Sequence, residues 1–165
     1  VGVTARAAAL LALSAVVACT MRASAPAGAA PVPVLVAPGT PRAAAVLAEI
    51  AATPEARNRG LGGRTSLPED GGMLFVYATA ERRTYWMKDC LIGLDIAFIG
   101  ADRRIVNVAT LPAAAGLPDA RVPKADSAAP AQWVLEASSG WFARHELGAG
   151  DEVDLSAALT GVVPR

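Results

Sequence analysis

From about Val46 to Leu155, apolar residues recur in short runs broken by turn-forming clusters. Val46, Ala48 and Ile50 alternate with Leu47, Glu49 and Ala51, the period-two pattern of a strand with one buried face. A short helix is expected next: Thr53 suits the N-cap, Pro54 the first helical position, Glu55 the positive end of the dipole, and Gly60 the stop. Gly62-Gly63 and Leu67 to Gly72 read as turns, after which Met73 to Tyr77 reads as a buried strand. Thr84 to Lys88, Leu94 to Ile99, Arg104 to Ala109 and Gln132 to Ala137 extend the series of strands. The stretch from Pro112 to Pro130, rich in Ala, Pro and Gly, reads as a long loop. A second helix, capped by Ser138 or Ser139, is expected to run through Trp141 and Phe142 to a stop at Gly148, before a last strand from Glu152 to Leu155. Strands joined this closely imply a mainly β domain, a compact antiparallel sandwich or small barrel with two short helices.

The first forty residues follow another pattern. Ala7 to Ala18 is apolar apart from Ser14, follows the basic Arg6, and is too short to span a bilayer, which reads as a signal peptide over residues 1–19. Val16-Val17-Ala18-Cys19 resembles the lipobox of bacterial lipoproteins, in which the cysteine becomes the acylated first residue; cleavage at Ala23-Ser24-Ala25 would instead release a soluble domain. Residues 20–43 are dominated by Ala, Pro, Val and Gly and read as a linker, with 44–158 as one globular β-domain and 159–165 as a tail. A membrane, reached through a lipid anchor on Cys19, is therefore the first expected partner.

Charge narrows the other partners. The chain has 15 basic and 15 acidic side chains, and export would remove only Arg6, so no basic excess remains to neutralise phosphates and no nucleic acid is expected. Arg82-Arg83 and Arg103-Arg104 are the basic pairs, each beside an acid, and read as solvated turns. With Cys19 acylated, Cys90 has no disulfide partner, so the fold must rest on its apolar core. One histidine and no Cys-x-x-Cys spacing leave no metal site, and no phosphate-cradling loop or nucleophile elbow implies a cofactor.

Three blocks, taken in order, carry a family resemblance. Thr53-Pro54-Glu55-Ala56-Arg57 runs through Gly60-Leu61; Leu67 to Phe75 leads into Trp86-Met87-Lys88-Asp89-Cys90-Leu91-Ile92-Gly93-Leu94-Asp95; and Val134-Leu135-Glu136 precedes Gly140-Trp141-Phe142 and Gly150-Asp151. Over residues 44–156 this order resembles the domain of unknown function 192 family, also catalogued as uncharacterised protein family 0127. The resemblance implies a small, mainly β protein, often with an export signal, in a family without an established activity. Gly93 stands where the family commonly has proline, and the loop from Pro112 to Pro130 lacks a cysteine often seen in relatives, which removes the basis for a redox role there.

Candidate chemistry rests on few residues. Asp95 sits in an otherwise apolar run, where a carboxylate must be paired, hydrogen-bonded or facing a pocket. Lys88 and Glu136 lie in other strands and could face it, either as a structural ion pair or as the polar floor of a cleft. Trp86 and Trp141 are core residues or, if one is exposed beside Lys88, a platform for a ring-containing ligand. Cys90 with His145 is a weak thiol–imidazole pair, since Asp89 would hold the thiol protonated. Arg57, Arg59 and Arg64 form a basic group near the first helix, read as surface. The expectation is an exported, non-enzymatic envelope module binding a small molecule or peptide through Trp86, Lys88, Asp95 and Glu136. The alternative is a hydrolase-like enzyme using Asp95 and Glu136 as a carboxylate pair, which requires both to converge on one cleft.

Overall fold

The computed structural model describes residues 30–164. Nine strands follow in the order β1 (Val32–Val36), β2 (Ala44–Ala51), β3 (Gly71–Glu81), β4 (Thr84–Trp86), β5 (Leu94–Ile99), β6 (Ile105–Leu111), β7 (Lys124–Asp126), β8 (Ala131–Ser138) and β9 (Val153–Asp154). Three short helices accompany them: α1 (Pro54–Arg59), α2 (Trp141–Arg144) and α3 (Ser156–Leu159). Seven strands form one curled half-barrel sheet in the order β6-β5-β8-β3-β2-β1-β9, and β4 and β7 form a separate two-stranded sheet. The fold is mainly β, as the strand pattern implies. Its pairing is antiparallel except between β2 and β3, which run parallel because α1 carries the chain back across the sheet.

The signals of the first helix act as read, whereas α2 starts after Gly140 with no side-chain cap from Ser138 or Ser139 and ends at Arg144, short of Gly148. Thr53 Oγ1 accepts from the Ala56 amide at 3.2 Å, and Gly60 turns the chain with φ of 50°. Both faces of the large sheet are covered, so β5 is buried at all six positions instead of alternating. One face packs Val34, Val46, Leu74, Ala97, Leu135 and their neighbours against Trp141 and Phe142 of α2 and Ala158 of α3. The other packs Met73, Phe75, Ile96, Phe98 and Val134 beneath Leu61, Met87, Cys90 and Val122. On this second face Tyr85 of β4 makes edge-on ring contacts with Phe75 at 5.1 Å and Phe98 at 5.8 Å, which seats the small sheet on the large one.

Four other boundaries depart from the sequence reading. The segment 32–36, read as linker, is strand β1: it pairs with β2 over its whole length and buries Val34 and Val36 completely. Pro33 is tolerated because β9 pairs only with Leu35 and Val36, leaving that end of the strand at the sheet edge. Gly71 and Gly72, read as a turn, open β3; a Cβ on Gly72 would lie 2.3 Å from the Glu136 carbonyl oxygen and 2.5 Å from Val46, so glycine here permits close strand approach. The loop from Pro112 to Pro130 contains a short helical turn, Asp119–Arg121, and β7. The tail boundary at 159 also moves, because Leu159 ends α3 and Leu159 and Val162 pack on the core. The signal peptide and Cys19 lie outside the described residues.

Candidate functional site

Side-chain alternation decides which candidates can meet. In the β5–β8 pairing Asp95 stands opposite Ala137 and Ile96 opposite Glu136. Residues paired across a sheet share a face, and successive residues alternate, so Asp95 and Glu136 point to opposite sides. The carboxylate pair required by the hydrolase alternative is not formed, and that reading is corrected.

Asp95 is instead a structural anchor. It is 1% exposed; its Oδ1 accepts from Thr110 Oγ1 at 2.7 Å and the Gly140 amide at 2.9 Å, and its Oδ2 accepts from the Phe142 amide at 3.1 Å. Thr110 is its cross-strand partner on β6, while Gly140 and Phe142 flank the start of α2. The buried charge is thus spent satisfying amides at a helix start, which have no intrahelical partner. It leaves the set of binding residues. Trp141 is likewise core, its Nε1 donating to Asp70 at 2.9 Å.

Glu136 lies on the other face, at the floor of an open cleft of about 440 Å³. Phe75 and Tyr77 of β3 join it on the sheet side. One wall is Arg57 to Gly62 from α1 and the following turn; the other is Thr84, Tyr85 and Trp86 of β4 with Lys88 and Cys90. Trp86, Lys88 and Glu136 therefore line one cleft, and Asp95 does not. Trp86 is 46% exposed at the rim, with the Lys88 ammonium 5.1 Å and the Lys124 ammonium 5.8 Å from its ring centre. Lys88 also reaches the exposed Asp119 at 3.1 Å, a surface pair of the kind that contributes little to stability.

The polar groups of the cleft differ sharply in how well they are satisfied. Tyr77 and Tyr85 share a hydrogen bond between their hydroxyls at 2.7 Å, and burial holds the Tyr85 phenol protonated far above its ordinary range. The Arg83 guanidinium carbon stands 3.3 Å from the Tyr77 ring centre, and Arg57 lies 4.8 Å from the same ring while donating to the Ala52 and Val76 carbonyls. Arg82, exposed, and Arg83, half-buried, also donate to the backbone carbonyls of Ser127 and Ala131, which ties the β3–β4 turn to the β7–β8 connection and the start of β8. Arg64 forms a two-pronged ion pair with Glu49 at 2.5 and 2.8 Å, which separates it from Arg57 and Arg59.

Glu136 has no comparable support. It is 6% exposed, and among the described residues no hydrogen bond or ion pair reaches its carboxyl group. Burial pushes its pKa up to about 8 by taking the charged form out of water. The same burial, then Glu136 and then Asp89, push the Cys90 thiol up to about 11. His145 cannot activate it: the ring bonds the Trp141 carbonyl at 2.9 Å and stacks on Trp141, which belongs to the opposite face. Among the described residues no group of three or more His, Cys, Asp or Glu side chains is placed to hold a metal.

Tyr77 and Tyr85 were not among the site residues expected from sequence. The available signal was that a tyrosine hydroxyl in a buried strand needs a partner or a cavity.

Comparison with known proteins gives the same silence on activity. No curated protein matches the chain. A protein of unknown function from Novosphingobium aromaticivorans DSM 12444 is similar at 33% identity and a TM-score of 0.66, over 75% of this chain and 84% of that one. A candidate transcription regulator from Sinorhizobium meliloti 1021 is similar at 28% identity and a TM-score of 0.64, over 74% and 91% of the two chains. The family model described as an uncharacterized ACR, domain of unknown function 192, matches residues 36–155, from the last residue of β1 to the residue after β9. The chain belongs to the domain of unknown function 192 family.

Proposed function

We propose that this domain is a non-enzymatic binding module of the bacterial cell envelope, exported behind residues 1–19, tethered at Cys19, and taking a small molecule or peptide in the cleft floored by Glu136. The observation that carries the reading is the Glu136 carboxyl at the floor of the cleft. Among the described residues no buried side-chain oxygen is left without a partner, so the Glu136 oxygens, which no protein donor reaches, open onto the cleft, whereas those of Asp95 are held by Thr110, Gly140 and Phe142. A group held this way in an open cleft is suited to a partner that arrives with a ligand. Aromatic walls and the half-exposed Trp86 supply apolar contact area, and polar groups at floor and rim supply orientation.

Catalysis finds less support, because the thiol is protonated at neutral pH and the second buried carboxylate faces away. The Sinorhizobium protein's description as a regulator of transcription is not carried over, since the near-balance of charge offers no phosphate-binding face. The reading is tested by two-dimensional NMR with three unlike probes: benzoate, N-acetylglucosamine and glycylglycine. Shifts confined to Trp86, Tyr85 and the Glu136 strand with at least one probe are expected. Silence with all three, or shifts centred on Asp95 and α2, would contradict it.

A further inference from the structure

The charges around the cleft point to one class of ligand. Among the described residues, every charged side chain lining it other than Glu136 is a cation: Arg57 and Arg59 from α1, and Lys88 from the opposite wall. We propose that the cleft binds a small carboxylate, whose oxygen is hydrogen-bonded at the floor by the Glu136 carboxyl while the basic rim balances its charge. The inference rests on the cleft being a ligand site and adds what the ligand must carry.

Two features of the geometry favour an anion over a cation. A ligand ammonium would have to pass Arg57, Arg59 and Lys88 to reach Glu136, whereas a carboxylate is drawn in by them. Glu136, sunk among Phe75, Tyr77 and Tyr85 with no cation bonded to it, is a neutral acid at pH 7, and a neutral acid donates a short, charge-assisted hydrogen bond to a carboxylate. Phosphate suits the floor less well. It carries about −1.5 to −2 charges at neutral pH, and removing that charge from water against aromatic walls costs more than for a monoanion.

The titratable groups facing Glu136 sharpen the pH dependence. Tyr77 on β3 and Tyr85 on β4 line the cleft with it, and from the turn before β5 comes Cys90, with Asp89 behind. Beside it in the sheet β3 and β5 contribute the apolar Met73 and Ile96, and α1 contributes Arg57 and Arg59. Arg83 stands over Tyr77 and Lys124 over Trp86. Burial holds Tyr85 and Cys90 protonated across pH 7 to 9, with the thiol at about 11, so the neutral form of Glu136, lost around pH 8, governs binding there.

The test is calorimetric titration with benzoate, with benzyl alcohol and benzylamine as neutral and cationic counterparts. Binding to the neutral acid alone makes benzoate affinity fall about tenfold from pH 7 to pH 9, because the competent fraction falls by that factor. Glu136→Gln, which keeps a donor in place, should bind at pH 9 as well as at pH 7, and Glu136→Ala should not bind; circular dichroism confirms that each is folded. Tighter binding of benzylamine as pH rises would overturn the carboxylate assignment while leaving the cleft a ligand site. So would benzyl alcohol matching benzoate at every pH. Silence of these probes together with N-acetylglucosamine and glycylglycine would remove both readings.

Discussion

Two acidic residues within adjacent strands have opposite fates because one residue of register decides which face each side chain meets. Asp95 falls where amides at the start of α2 can reach it, so its charge is held by three donors. Asp95→Ala would leave those donors buried, and a loss of about 3 kcal/mol in chemical denaturation is expected, with benzoate binding unchanged in the folded fraction. Glu136 falls one step away in the pairing and meets no donor. Its pKa rises from 4.5 to about 8 on folding, so the native state holds a proton that the unfolded chain releases. Its stabilising contribution is fully present below about pH 4.5 and is lost as pH rises through about 8. Thermal melts should therefore show stability declining from pH 5 to pH 8. Glu136→Gln should flatten that slope and exceed the wild type at pH 8 by a few degrees. A parallel slope in both proteins would place the titrating group elsewhere.

At the scale of elements, hydrophobic alternation made β2 legible, runs of β-favouring residues made β5 and β8 legible, and capping chemistry made α1 legible from Thr53 to Gly60. β1 was hidden because Pro31, Pro33 and Pro38 look like linker punctuation, while the pairing that makes Val32–Val36 a strand comes from β2 and β9. β7 was hidden for the same reason: three residues gain strand character only from β4. In the site, Trp86, Lys88 and Glu136 were identifiable by type, but the face of each side chain depends on register, which alternation in β5 could not reveal because both its faces are apolar. A chain beginning at residue 44 tests the role of β1. Complete burial of Val34 and Val36 contributes about 1.5–3 kcal/mol each, a large share of the 5–15 kcal/mol typical of a domain. The truncated chain should lose its cooperative melt, and a transition like that of the full domain would show β1 to be dispensable.

At the scale of the whole molecule, β1 is itself a strand of the large sheet, so twelve residues, 20–31, separate the expected anchor Cys19 from the first strand instead of the longer linker read from sequence. An acylated Cys19 would hold the domain nearer a membrane than that linker would allow. Intact-mass spectrometry of protein from a bacterial membrane fraction should find a diacyl-modified Cys19 that is lost in Cys19→Ala. An unmodified start at Pro26 or later would remove the tether and leave the cleft unaffected.

The central claim is that Glu136 is an uncompensated acid at the floor of a binding cleft. The most direct measurement is a carbon-13 NMR titration of its side-chain carboxyl in the free protein, with Glu136→Gln identifying the resonance. A midpoint near pH 8 is the result the account requires. A midpoint near the ordinary 4.5 would mean that the carboxyl is solvated or paired, and would contradict it.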